Sequence, residues 1–200
     1  MSEQKKYEFT GEIKTIFGIE FKQIRAIISF GCVVAGEIGG WIECEENLSQ
    51  SGNAWVSGDA WVSGNARVSG NAEVSGDAWV SGNAEVSGNA WVSGDAWVSG
   101  NARVSGNARV SGNAEVSGNA EVKKDDDYMA IGGAGRYNRF TTFFKCRDKT
   151  IKVVCGCFFG TIIEFRAKVK ETHKGNKHEK VYLAMADMAE LQIGNDEVEK

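Results

Sequence analysis

From Ser51 to Val122 the chain is twelve unbroken copies of S-G-(N/D)-A-x-V, 72 of its 200 residues. Ser, Gly, Ala and Val never vary in these copies. Asn holds the third place except at Asp59, Asp77 and Asp95, and the fifth place takes Trp, Arg or Glu. A fixed short period implies a solenoid, and six residues is the period of a parallel β-helix. In extended backbone, Ala and Val two residues apart share a face, and the residue between them points the other way. Ser-Gly-Asn is corner chemistry, because Gly accepts positive φ and Asn tolerates it. Each hexad therefore predicts a short strand and a corner, with Ala and Val inside and the fifth residue outside.

The variable places set the coil. The three Asp residues recur every 18 residues, and residues 51–68 are identical to 87–104, a shift of 36. Both fit three hexads per turn and four complete rungs, spaced about 4.7–4.9 Å apart. Stacking by threes gives three outward columns. One holds Trp55, Glu73, Trp91 and Arg109, the next Trp61, Trp79, Trp97 and Glu115, and the last Arg67, Glu85, Arg103 and Glu121. The last column alternates in sign, a salt-bridge ladder of small individual worth. At about 150–250 Å² per Trp, the Trp column rivals the largest apolar patch of a typical monomer, and we expect it to be covered, by a second copy of the chain. Trp61, Trp79 and Trp97, with Trp55 and Trp91, are the expected oligomer interface. A duplicated 18-residue unit that carried its Trp along is the plainer alternative.

Composition bounds the rest. Net charge is −4, with no proline and five cysteines, Cys32, Cys44, Cys146, Cys155 and Cys157. The overall charge is not that of a nucleic-acid binder. No apolar run follows the first residues or approaches the roughly 18 residues of a membrane span, so free thiols in a cytoplasm are expected.

Residues 1–50 read as an N-terminal β cap with the first irregular coils. Tyr7 and Phe9, Ile19 and Phe21, and Ala26, Ile28 and Phe30 alternate at period two, with turns near Gly11 and Gly18. A β-helix end needs such a cover, because a bare rung exposes unpaired backbone. Residues 123–200 read as a small α+β module of a β-hairpin and two helices. The charged run Lys123 to Asp127 leads to a Gly-rich loop and a hairpin turning near Asp148 and Lys149. Thr161 and Glu164 form a capping box. The helix that follows runs to about Thr172 and buries Ile162, Phe165 and Val169. A second, from about Glu179 to Ile193, puts Tyr182, Ala186, Ala189 and Ile193 on one face.

Tyr128 to Tyr182 carries twelve Lys/Arg against four Asp/Glu, a net charge of +8. Arg136 and Arg139 flank the Gly-rich loop of Gly132 and Gly135, and Thr141 and Thr142 follow. Backbone N–H groups, hydroxyls and an Arg fork suit a phosphate or carboxylate, and the helix start at Thr161 adds positive potential. With His173, Asn176 and His178 these are the candidate residues for an anionic, nucleotide-like ligand. A solvated basic face is the bland alternative, and no Walker A element is present. Cys155, Cys157, His173 and His178 do not have a usual zinc spacing, so no metal or cofactor is expected. Cys157 with either histidine leaves a Cys/His enzyme open.

The hexads resemble the left-handed β-helix superfamily of hexapeptide-repeat proteins, and the handedness, like an expected trimer, comes from that resemblance. The stretch GCVVAGEIGGWIECEENLSQSGNAWV, with Gly39, Gly40 and Trp41 and then Glu46 to Ser49, is similar to the entry segment of hexapeptide proteins from phages and bacteria. Their C-terminal module is echoed at Ile131-Gly132, Gly135-Arg136, Thr141 to Phe143, Gly156 to Phe158, Gly160-Thr161, Glu164-Phe165, Thr172-His173, Asn176, His178 and Tyr182. Gly133-Ala134 departs from the Pro-Ile pair usual there. The resemblance implies architecture and a phage or prophage origin, and no reaction. Hexapeptide acyltransferases and carbonic anhydrases use coil histidines, and none lies between Ser51 and Val122. Ice binding uses flat Thr ladders, which are also missing. Three readings remain. The first is a non-enzymatic, oligomeric phage-type protein whose basic module captures an anion such as a nucleotide signal of host immunity. The second is an assembly protein docking through its Trp face, and the third is the Cys/His enzyme.

Overall fold

The computed structural model describes residues 5–134 and 139–194. The hexads form strands β4 to β15, each the two residues at places five and six, from Trp55–Val56 to Glu121–Val122. These pair in parallel with the strand 18 residues on: Trp55 with Glu73, Trp61 with Trp79, and Arg67 with Glu85. Three parallel ladders result, and the chain is a mainly β protein built on a parallel β-solenoid. Every hexad Ala and Val is buried, Ala60 and Val62 completely. The corners stack as well. Gly76 sits at φ +71°, and a Cβ there would lie 2.9 Å from the backbone N of Gly94. Corner asparagines make their own ladder, Asn53 to Asn71 to Asn89 to Asn107, at 3.0–3.1 Å per step.

In this solenoid each rung's N–H groups donate to the carbonyls of the next rung, as from Trp55 to Ala72. The first rung is left with unpaired C=O groups and the last with unpaired N–H groups, and both must find partners. Residues 5–50 supply the first set. Strand β1 (Tyr7–Ile16), bulged near Gly11, turns at Phe17-Gly18 into β2 (Ile19–Ala26), which pairs antiparallel with β3 (Ile38–Ile42). Strand β3 then lies parallel on the Trp61 strand and continues its ladder. Trp41 N–H donates to Ala60 O and Glu43 N–H to Val62 O. The buried Asn47 side chain donates to Gly64 O (3.0 Å) and Ala66 O (2.9 Å). Lys6, 2% exposed, turns its Nζ to Ala54 O at 2.7 Å, and burial pulls its pKa down to about 8.

At the other end Asp125 accepts from Arg109 N–H (2.7 Å) and Thr142 Oγ1 from Glu115 N–H (3.1 Å). Thr142 belongs to a four-stranded antiparallel sheet of β16 (Tyr128–Ala134), β17 (Arg139–Lys145), β18 (Ile151–Cys155) and β19 (Phe158–Thr161). Two more strands are present than the hairpin expected from sequence. The Gly-rich stretch is itself strand, and Gly156-Cys157 makes a second tight turn. The sheet is two-sided by period two. Phe144, Cys146 and Val154 join the solenoid core, whereas Met129, Phe143 and Val153 meet the helices. Helix α1 (Ile162–His173) begins at the Thr161–Glu164 capping box and buries Ile162, Phe165 and Val169, as the sequence predicts. Helix α2 (Lys177–Ile193) buries Tyr182, Met185, Ala186, Ala189 and Ile193 and starts two residues earlier than expected, because Asn176 caps it.

Candidate functional site

The helix side of the C-terminal sheet holds a cleft. Cys155 pairs with Phe158 across the two-residue turn Gly156-Cys157, and Gly156 has φ +61°, the positive value such a turn needs at its first place. A Cβ on Gly156 would stand 2.7 Å from Arg139 Nη1, so glycine here lets the guanidinium cross the turn. Opposite lies the junction of the two helices. Lys174 and Gly175, at φ +42° and +83°, reverse the chain. Asn176 Oδ1 then accepts from the N–H groups of His178 (2.8 Å) and Glu179 (3.2 Å). The positive end of the 17-residue α2 dipole is therefore at the cleft.

The cleft encloses about 490 Å³ between Arg139, Cys155 to Cys157, Thr172, His173, Asn176, His178 and Tyr182. The His173 ring centre is 5.9 Å from that of His178 and 5.4 Å from that of Tyr182. A second lobe of about 360 Å³ shares Cys155, Cys157, Thr172, His173 and Tyr182, and adds Phe158, Phe165, Lys168 and Val169. One lobe thus offers a guanidinium, two imidazoles and a helix N-terminus, and the other offers aromatic and aliphatic surface. Burial pushes the Tyr182 hydroxyl pKa up, the Cys155 thiol adds to this, and Arg139 opposes it. The Cys155 sulfur accepts from Thr141 Oγ1 at 3.1 Å.

Of the candidate ligand residues, the fold brings Arg139, His173, Asn176 and His178 together. Thr141 stands behind the wall, bonded to Cys155. Thr142 is on the opposite face, closing the solenoid. Thr161 caps α1, where its N–H and hydroxyl both engage Glu164. Gly132 lies under the Phe140 ring, which a Cβ would meet at 2.6 Å. Gly135 and Arg136 fall outside the described residues. The apolar lobe of Phe158, Phe165, Val169 and Tyr182 was not anticipated as a site. Its signal was the C-G-C turn, which joins two strands and brings Phe158 to the helices. Cys155, Cys157, His173 and His178 all reach this region, yet the described residues hold no group of three or more His, Cys, Asp or Glu able to grip a metal ion.

The Trp column is partly covered, and by the chain itself. Phe21 packs edge-on against Trp61 (4.8 Å) and Trp79 (6.4 Å), and Phe17 at the hairpin tip stacks on Trp79 at 6.0 Å. Trp55 is buried against Tyr7 and Phe30. Over Trp61 and Trp79 the cover is the N-terminal hairpin, because β3 continues the same ladder and folds β1 and β2 back over it. Trp91 and Trp97 stay 43% and 46% exposed. Indole N–H groups are also anchored, from Trp79 to Ser63, Trp91 to Ser75 and Trp97 to Ser81 at 3.0–3.3 Å.

Parallel ladders of two-residue strands, with both ends closed, define a β-solenoid protein. A family model described as the YdcK beta-solenoid repeat matches residues 60–76, 66–82, 96–112 and 102–118, all within the hexads. No curated protein matches the chain. Among the described residues no helix is long and apolar enough to cross a membrane.

Proposed function

We propose that the C-terminal module binds a small anion carrying a planar apolar group, a nucleotide-like compound, without transforming it. The observation that carries this is the two-lobed cleft. Arg139, His173 and His178 face one side of it at the α2 N-terminus, and Phe158, Phe165 and Tyr182 line its continuation. A guanidinium fork and a helix dipole favour phosphate or carboxylate, and an adjoining aromatic wall favours a flat ring. The solenoid is the scaffold, a left-handed coil of three hexads, and copies associate as trimers, as in the hexapeptide proteins it resembles. The 18-residue register supports the coil, and a light-scattering mass of one chain would refute the association.

A thermal-shift series with nucleoside mono- and diphosphates tests the binding. A ligand at a hundredfold excess over Kd stabilises the module by about 2.7 kcal/mol. Arg139→Ala should abolish the shift, and Arg67→Ala, on the solenoid, should leave it intact. Equal shifts in both variants, or none with any phosphate compound, would overturn the reading.

A further inference from the structure

The ladder beneath the N-terminal hairpin contains a chemistry that the cleft does not use. Lys14 on β1 lies with Nζ 4.1 Å from the Trp41 ring centre, 5.4 Å from that of Trp61 and 3.7 Å from the Asp59 carboxylate. Trp41 and Trp61 are register partners on successive rungs, stacked at 5.4 Å and 18°. Asp59 is the third residue of the hexad that carries Trp61. Two stacked indoles and a carboxylate thus hold an ammonium, by ring quadrupole and by charge.

The same set recurs two rungs on. Trp79 and Trp97 are register partners, stacked at 6.0 Å and 23°, and Asp95 is the third residue of the Trp97 hexad. Phe21 fills the place between the two sets, and the hairpin ends at Phe17. Past that tip Trp97 is 46% exposed. Asp95 accepts from Asn113 Nδ2 at 3.1 Å, and among the described residues no Lys or Arg pairs with it. The rings are already fixed by their bonds to Ser63 and Ser81, so little order remains to be imposed on binding.

We infer that Trp79, Trp97 and Asp95 form a docking site for a lysine ammonium presented by a basic segment of a partner protein. The occupant's chemistry is read from the chain itself, where Lys14 fills the equivalent set. The carboxylates of Asp77 and Asp95, at the same hexad place on neighbouring rungs, favour a cation over a neutral ring or a sugar. Exposed Phe17, 87% accessible and stacked on Trp79, borders the set and gives the segment's neighbouring apolar side chain a surface.

The test is an NMR titration of the full chain, following the six indole N–H signals, with Nα-acetyl-lysine amide and with its uncharged norleucine counterpart. The Trp79 and Trp97 signals should move with the lysine compound and not with norleucine. Asp95→Asn should weaken the effect roughly fivefold, the factor for about 1 kcal/mol. Asn already fills this place beside Trp55 and Trp91, as Asn53 and Asn89, so the variant is compatible with the fold. Equal response to norleucine, no response at Trp97, or insensitivity to Asp95→Asn would each overturn the proposal. So would a fall in oligomeric mass on Trp97→Ser, which would assign the face to a second copy.

Discussion

Asn47 should be the costliest single side chain at the start of the solenoid. It is fully buried, and its amide makes three hydrogen bonds with backbone groups besides a long one from Cys44 Sγ at 3.4 Å. Nδ2 donates to Gly64 O and Ala66 O at 3.0 and 2.9 Å, and Oδ1 accepts from Cys44 N–H at 2.9 Å. In Asn47→Ala all three backbone partners lose these bonds while the surrounding Leu48 and Val68 stay apolar. At about 1 kcal/mol net per bond, and more for carbonyls left dry, the loss is about 3 kcal/mol or greater. A solenoid is held rung by rung, so the damage should be local. The readout is amide hydrogen exchange. Trp41, Glu43 and Ser49, whose N–H groups donate to the first hexad rung, should exchange roughly a hundredfold faster, while Trp97 and Arg103 keep their protection. Asn47→Asp separates bonding from volume. It is isosteric but turns an acceptor toward two carbonyls, and it should be at least as harmful. Exchange at Trp41 and Ser49 within a few-fold of the parent for either variant would refute the edge-capping account.

Other perturbations probe the corner, the helix cap and the hairpin. Gly76→Ala places a Cβ at φ +71° and 2.9 Å from Gly94 N, whereas Gly112→Ala, at φ +66°, meets nothing within 4 Å. The second should cost about 1–2 kcal/mol for backbone conformation alone and the first distinctly more, as read from urea midpoints. Glu164 accepts from Thr161 N–H at 2.8 Å, and these bonds hold its carboxyl below the usual range. Its folded pKa is depressed, so its stabilisation is present above the unfolded value and is lost as pH falls through the folded one. Glu164→Gln should therefore flatten the acid limb of a stability–pH curve followed by helical circular dichroism. Phe21→Ser should expose Trp61 and Trp79, seen as a red shift of Trp emission, and an unshifted spectrum would mean that the hairpin does not cover them.

The repeat is legible because every constraint on it is local and repeated twelve times. A glycine at positive φ, an Ala-Val inner pair and an outward fifth residue need no knowledge of distant partners. The α1 cap is legible for the same reason, since Thr161 and Glu164 are three residues apart. The C-terminal sheet is harder. Ile131-Gly132-Gly133 has the composition of a loop, yet Ile131 pairs with Thr141 and extends a strand. That pairing depends on the solenoid end, which Tyr128, Ala130 and Phe144 cover. The candidate site was half visible. Arg139, His173, Asn176 and His178 are of the right types, but Thr141, Thr142 and Thr161 turn out to hold Cys155, Glu115 and Glu164 instead.

Thr141 and Thr142 show how the solenoid and the cleft are joined. They are neighbours on β17, so their side chains leave opposite faces of the sheet. Thr142 Oγ1 accepts the Glu115 N–H on the last rung, and Thr141 Oγ1 donates to Cys155 at the rim of the cleft. Phe144 and Val154 pack on the solenoid core, and Phe143 and Val153, the residue before each in sequence, pack on α1 and α2. One sheet is therefore both the plug of the solenoid and the floor of the cleft. The plug cannot leave without uncovering Val116 and Val122 and unpairing the last N–H groups, so the floor is held by the whole apolar column behind it. A rigid floor limits binding changes to the rim, where Lys174-Gly175 links the helices and Gly156-Cys157 links the strands. A bound anion should accordingly slow amide exchange at residues 173–179 and leave Phe143 and Phe144 unchanged. Protection spreading into residues 115–122 would show instead that ligand and plug are coupled, and that the sheet yields.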